Sequence, residues 1–280
     1  MKKSEHLRVL AVFREVSNSP NREHDDTLIL KLVCEELSAL GCETHLIEPS
    51  SLKFQNPEEW DAVIPMCENP PHIKIIEGWK DQVTVLNPMS AVKNCYRVNM
   101  TPLMSACPGI HPRTELRSMK DLPGSKPCFG EEGIWVKRGD VHNTCDHDVV
   151  RIADWKEVHK VKDDFATRSI KDVVLQEHIA GDVIKFYGVG PYKWFSWFYH
   201  RPQDVGNYRF DPAVLEDYAG RVAKAVGLEV FGGDAIVTPD SRIYIIDINS
   251  WPSFARVRDE VKTHIAKHVA ARAKAARKEK

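Results

Sequence analysis

Two carboxylates and one amide stand at short, regular spacing near the carboxy end of the chain. The segment runs Phe231-Gly232-Gly233-Asp234-Ala235-Ile236-Val237, then Thr238-Pro239-Asp240-Ser241, then Arg242 to Asn249. It reads as two apolar strands joined by a tight turn, because Pro239 presets φ and Asp240 suits the next turn position. Side chains alternate faces along a strand, so Asp247 and Asn249 point the same way. A near-symmetric turn predicts that Asp234 faces that way too, one diagonal step across the hairpin. Like charges so placed repel unless a cation sits between them. Donors that are all oxygen suit Mg²⁺, with Mn²⁺ as an alternative, and such an ion keeps several waters and shares its shell with a nucleotide's phosphates. The plain reading is a hairpin with polar residues on its solvated rim.

The same hairpin, "FGGDAIVTPDSRIYIIDINSWPSF", resembles the metal-binding end of the ATP-grasp superfamily, in which an acidic residue on one strand precedes an acid-x-Asn on the next, commonly followed by Pro. The match falls on Asp234, Asp247, Asn249 and Pro252. A second segment, "VVLQEHIAGDVIKFYGVG" (Val173 to Gly190), is similar to the hinge of that family, and a third, Gly133-Ile134-Trp135-Val136-Lys137, ends an apolar strand on a lysine. The three matches fall in the right order over about half the chain. The nearest likeness is to carboxylate–amine ligases of the type that includes ribosomal-protein glutamate ligases and D-alanine–D-alanine ligases.

That resemblance implies a set of site residues. Asp234, Asp247 and Asn249 would hold magnesium. Lys137 and Arg97 would meet the phosphates of ATP; the family usually has Asp-Lys where this chain has Tyr96-Arg97, and a guanidinium also meets phosphate. Gln176, Glu177, His178 and Ile179 would line the adenine edge, and Asp182 would meet the ribose hydroxyls, with a turn-forming aspartate as the alternative. A lysine in the apolar strand "VIKFYGVG" is rarely a structural choice, so Lys185 would reach the phosphates or the acyl substrate. Lys185 and Arg201 are the catalytic candidates. The loop Arg138 to Cys145 has a single glycine where the family is often glycine-rich, so side-chain donors would replace backbone N–H groups there.

Certain elements must position these groups. Leu7 to Val16 opens with an apolar strand. Asp25 to Leu40 has Leu28, Leu30, Val33, Leu37 and Leu40 at helical spacing, with Gly41 just past its end. Cys42 to Ile47, Ala62 to Met66 and Val83 to Leu86 are further short strands. Strands alternating with helices predict a parallel sheet, and ligands in such sheets bind beyond the carboxyl ends of the strands. The polar loop Arg14 to His24 therefore offers Arg14, Ser17, Asn18 and Arg22 as substrate contacts, against an ordinary surface loop. The aromatic run Tyr192 to Tyr199 alternates Trp194, Ser196 and Phe198 with Phe195, Trp197 and Tyr199, which predicts a strand packed on both faces. The alternative is a substrate cleft in which His200, Arg201 or Arg209 meets an anion. Val257, Val261, Ile265 and Val269 predict a docked terminal helix.

The expected architecture is an α/β N-terminal lobe with a parallel sheet (1–88), a connecting helix (89–112), and two α+β lobes (113–184 and 185–280) that clamp ATP in an ATP-grasp fold. A chain of 280 residues can bury the core this needs. A formal net charge of −1 points to neither nucleic acid nor membrane, and no apolar run approaches the roughly 18–20 residues that cross a bilayer. Seven cysteines with no CxxC pair, and an opening that lacks the apolar stretch of a signal peptide, read as cytoplasmic. Cys34 and Cys107 read as core thiols and Cys145 as the one open to reaction. Partners are then a small-molecule carboxylate and a nucleophile, with a homodimer left open. The functional expectation is an ATP- and Mg²⁺-dependent ligase that activates a carboxylate as an acylphosphate. An inositol-phosphate-kinase-like phosphotransferase of the same fold and a non-catalytic nucleotide-binding module are the alternatives.

Overall fold

The computed structural model describes residues 6–19, 23–140 and 145–279. Its first sheet is parallel, as the strand–helix alternation predicts: β1 (Arg8–Val12), β2 (Glu43–Ile47), β3 (Ala62–Pro65) and β4 (Thr84–Val85) lie in the order β2-β1-β3-β4. Helix α1 (Glu23–Ala39) buries Ile29, Leu30, Val33, Cys34 and Leu37 at helical spacing, and Gly41 takes φ 82°, a left-handed value that glycine adopts freely. Helix α2 (Pro70–Glu77) follows β3.

The connecting helix is in two pieces, α3 (Met89–Asn94) and α4 (Arg97–Met104), broken at Cys95-Tyr96. The break makes Arg97 the first residue of α4. An antiparallel sheet follows, with β5 (Thr114–Ser118), β6 (Ile134–Arg138), β7 (Val149–Ile152) and β8 (Asp172–Glu177) in the order β5-β8-β6-β7. Helix α5 (Val158–Thr167) covers it through Val158, Val161 and Phe165.

The last sheet is also antiparallel: β9 (Asp182–Val189), a tight turn α6 (Gly190–Lys193), β10 (Trp194–Tyr199), helix α7 (Pro212–Val226), β11 (Val230–Val237) and β12 (Ile243–Ser250), in strand order β10-β9-β11-β12. The aromatic strand β10 is packed on both faces, as its alternation predicts. Trp194 and Phe198 join the core shared with the N-terminal sheet, while Phe195, Trp197 and Tyr199 face the core under α7.

Helix α8 (Arg258–Glu279) ends the described chain and reaches back to the start of it. Val261, Ile265, Ala266, Val269 and Ala273 share one core with Val9, Ile29, Leu30 and Val33. A second fastening is polar. The buried Asn87 side chain donates to Val230 O (2.6 Å) and Ser250 Oγ (2.9 Å) and accepts from the N–H groups of Glu229 (2.7 Å) and Val230 (2.9 Å). Trp251, fully buried, donates its indole N–H to Leu86 O at 2.9 Å. The end of β12 is thereby bolted to the N-terminal sheet. Among the described residues no helix is long and apolar enough to cross a membrane. Cys34 and Cys107 are buried as expected, burial pushes the Cys34 thiol up to about 12, and Cys145 is exposed.

Candidate functional site

The hairpin β11–β12 corrects one expectation. Asp234 stands directly opposite Asp247, not one diagonal step away. The connection between the strands is one residue longer than a symmetric turn gives, because Val237 pairs with Ile243, and this alone would send Asp234 to the other face. A bulge between Asp234 and Ala235 shifts the register once more and returns it. Gly233 makes the bulge possible, since a Cβ there would run into the carbonyl oxygen of Asp247. The two carboxylates end as a facing pair with Asn249 two residues along the same strand and face.

Both carboxylates are neutralised from neighbouring elements. Lys185 on β9 is directly opposite Asp234 and donates to its Oδ1 at 2.7 Å. Arg97 at the start of α4 is buried; one guanidinium nitrogen lies 3.3 Å from Asp247 Oδ2 and another donates to Arg138 O at 3.0 Å. No group of the described residues hydrogen-bonds the Asn249 amide, which lines an open cleft of about 470 Å³. The donor set fits a hard divalent cation, two carboxylate groups and an amide oxygen without sulfur or imidazole. Among the described residues no cluster of three or more His, Cys, Asp or Glu offers a rival metal site.

Lys137 is the penultimate residue of β6 and is buried at 6% exposure between the second and third sheets. It donates to Gln176 Oε1 at 2.7 Å and reaches Ile246 O at 3.5 Å. Burial, then the nearby Arg97 guanidinium, lower its pKa from 10.5 to about 8, against the pull of Asp247 and Asp234. The space around it is a void of only about 10 Å³, lined by Val174, Gln176, Ile246 and residues of α4, room for no more than a water.

The hinge residues are engaged within the protein. Gln176 accepts from Lys137 and donates to Thr114 Oγ1 (3.3 Å). Glu177 pairs with Arg113, which holds its carboxyl below the usual range, and its N–H bonds Arg113 O. His178 accepts the Trp135 indole N–H at Nδ1 (3.1 Å), its N–H bonds Gly133 O, and burial followed by the Arg151 charge lowers its pKa. Ile179 follows, half-buried. Asp182 is buried, and its oxygens accept the backbone N–H groups of Gly206 (2.6 Å) and Tyr208 (3.0 Å), in the loop that follows β10.

The structure brings together Arg97, Lys137, Lys185, Asp234, Asp247 and Asn249. Arg201 is exposed and does not line the cleft; its neighbour His200 does. Arg14 and Asn18, read as substrate contacts at the end of β1, do line it. Arg14 is ion-paired with Glu68 and with Asp26 (3.1 Å) and donates to Trp251 O at 2.7 Å. Glu68 was legible only in retrospect: it lies just past the carboxyl end of β3, beside the end of β1. Phe198 was legible only as one face of β10, and Arg256 carried no signal, because its place in the cleft depends on how the segment before α8 docks. Arg22, and His142, Asn143 and Thr144 of the loop after Lys137, lie outside the described residues.

A single row crosses the last sheet. Phe198, Lys185, Asp234 and Asp247 are successive cross-strand partners on β10, β9, β11 and β12, and all four line the cleft.

The depressed pKa of Lys137 has a measurable consequence. If Lys137 meets the phosphates of ATP, as the sequence resemblance implies, phosphate would bind the ammonium form and raise its pKa, so affinity for ATP should be full below about pH 8 and fall as pH rises through it, by at most tenfold per pH unit. Lys137→Met should flatten that profile and weaken ATP binding by about 1.5–3 kcal/mol, the range for a charge-assisted hydrogen bond, with adenosine binding little changed. Calorimetric titrations of both ligands from pH 6 to 10 check this; equal losses for ATP and adenosine would mean that Lys137 supports packing alone.

No protein-family model and no curated protein sequence matches the chain. Solved structures do. The D-alanine–D-alanine ligase of Bacillus anthracis, determined with ATP, aligns at TM-score 0.68 and 12% identity over 98% of this chain and 99% of that one. D-alanyl-alanine synthetase A of Vibrio cholerae aligns at TM-score 0.71 and 10% identity over 98% and 99%. The RimK domain ATP-grasp protein of Sphaerobacter thermophilus aligns at TM-score 0.65 and 16% identity over 94% and 99%. At these identities the likeness is one of fold.

Proposed function

We propose, from the ATP-grasp fold that this chain has and the residues it brings together, that it is an ATP- and Mg²⁺-dependent ligase. In this reading it activates a carboxylate as an acylphosphate for attack by an amine or other nucleophile, releasing ADP and phosphate. The observation that carries the reading is the facing pair Asp234–Asp247, flanked by Asn249, Arg97, Lys137 and Lys185, at the floor of a cleft with room for a second substrate. Asp234, Asp247 and Asn249 would hold magnesium, which when bound draws charge from the terminal phosphates. That several neighbours are named as ligases favours the same reading.

Each residue then has a role set by its charge. Nucleotide entry requires the void at Lys137 to widen, and the lysine exchanges Gln176 and Ile246 O for phosphate oxygens. Arg97, anchored to Arg138 O, presents cationic N–H groups to the same phosphates. When the partner charge of Asp234 is taken up, the Lys185 ammonium is released to face the acylphosphate oxygens. The carboxylate oxygen attacks the γ-phosphorus and ADP leaves; the amine then attacks the acyl carbon and phosphate leaves. The amine must lose a proton. His200, whose pKa burial and then Lys185 hold below the ordinary value, lines the cleft as a neutral imidazole able to accept it.

A phosphotransferase acting on a polyphosphate needs a dense basic pocket. Here Arg14, Arg97 and Lys185 are each committed to a carboxylate, which disfavours that alternative. Incubation with ATP, Mg²⁺ and pools of small acids, with hydroxylamine as trap, is expected to give a hydroxamate with stoichiometric ADP and phosphate. Transfer of labelled phosphate to an alcohol, with no hydroxamate, would overturn the ligase reading.

A further inference from the structure

The chemistry above leaves a cation of the cleft unused that no carboxylate of the described residues holds. Arg256 lines it from the segment before α8. Its guanidinium lies over the Phe198 ring, 4.5 Å from the centroid, and one N–H reaches Tyr199 O at 3.5 Å. No carboxylate of the described residues pairs with it, whereas Arg14, Arg97 and Lys185 in the same cleft each hold one. The platform beneath it is itself packed. Tyr187 lies 5.7 Å from Phe198 and 4.9 Å from the buried Phe254, ring centre to ring centre. A guanidinium held over an aromatic ring, with one N–H directed to a carbonyl, keeps its remaining N–H groups for a carboxylate.

The row across the sheet sets the scale. Phe198 is two strands from Asp234, so about 10 Å separates the two backbone positions. Lys185 stands between them. An acyl group held at Lys185 and an anion held at Arg256 are then a few carbon atoms apart.

We propose that Arg256 selects the substrate, resting on the ligase reading: it binds a carboxylate other than the one activated, carried by the acid or by the incoming amine. The cleft is then matched to a pair of small substrates that together bring two carboxylates, one for the phosphoryl group and one for the guanidinium.

Calorimetry on the full chain loaded with Mg²⁺ and a non-hydrolysable ATP analogue tests this. One arm compares succinate and glutarate with their mono-amides; the other compares alanine and glutamate, in both hands, with their carboxamides. The expected result is a preference of roughly 10- to 100-fold for the free carboxylate in one arm, which identifies its source. Arg256→Gln should abolish that preference, and Arg256→Lys should restore part of it. Affinity for the Mg²⁺–analogue pair, measured on each variant, reports that the nucleotide site is intact. No preference in either arm, no binding by any probe, or a preference that survives Arg256→Gln overturns the assignment while the ligase reading stands. Failure of the chain to bind the Mg²⁺–analogue pair at all removes both.

Discussion

Asp247→Asn is expected to lower ATP turnover by roughly 10³-fold, about 4 kcal/mol of barrier, with the fold intact. The substitution keeps the size of the side chain and an oxygen that can accept from Arg97, now 3.3 Å away. What it removes is one of the two charges facing each other across the hairpin. A divalent ion that leans on two carboxylates and one amide has little to spare, and loss of one charge exposes the phosphates to weaker neutralisation. The measurement is ADP release against Mg²⁺ concentration, with a thermal melt in parallel. Turnover at the normal rate, with the normal Mg²⁺ dependence, would remove the metal assignment for Asp234, Asp247 and Asn249 together.

Trp251→Ala should cost about 3–5 kcal/mol of stability, the range for truncating a large buried aromatic. Trp251 is fully buried in the core shared by the N-terminal sheet and α8. Its indole N–H holds Leu86 O and its carbonyl accepts from Arg14, and its φ of 44° turns the chain two residues after Asn249. The expected result is a lower denaturant midpoint together with a higher Mg²⁺ concentration needed for nucleotide binding, because the strand end that carries Asn249 loses its anchor. Trp251→Phe keeps most of the apolar volume and should recover the larger share of the stability while leaving Leu86 O without its donor. A melt unchanged by Trp251→Ala would mean that the N-terminal sheet does not hold β12 in place.

These two variants separate what local pattern carries from what packing adds. The parallel sheet, α1 with its glycine stop, the two-faced strand β10 and the docked α8 are all local periodicities of apolar residues, and the chain alone supplied them. The shared face of Asp247 and Asn249 was legible for the same reason, since alternation along β12 places them together whatever the rest of the fold does. Lys185 stood out because a charge inside an apolar strand is rarely a structural choice, and Lys137 because it follows an apolar strand and precedes a polar loop.

Other features were decided by tertiary structure. The bulge that sets Asp234 directly opposite Asp247 depends on which residue of β12 is left unpaired, and one residue of register changes the face. Asp182 has the sequence context of a ribose ligand, yet backbone N–H groups of residues 206 and 208 claim its carboxylate. Arg201 and His200 are adjacent in sequence, but only His200 lines the cleft. Glu68, Arg256 and Phe198 meet there from three distant segments. What the sequence by itself determined is the set of elements and the charges they bear, because those follow from spacings of two and about 3.6 residues. Which of those charges face one cleft was decided by long-range packing of α8 and Trp251 against the first sheet, contacts between residues more than two hundred positions apart that no local spacing records.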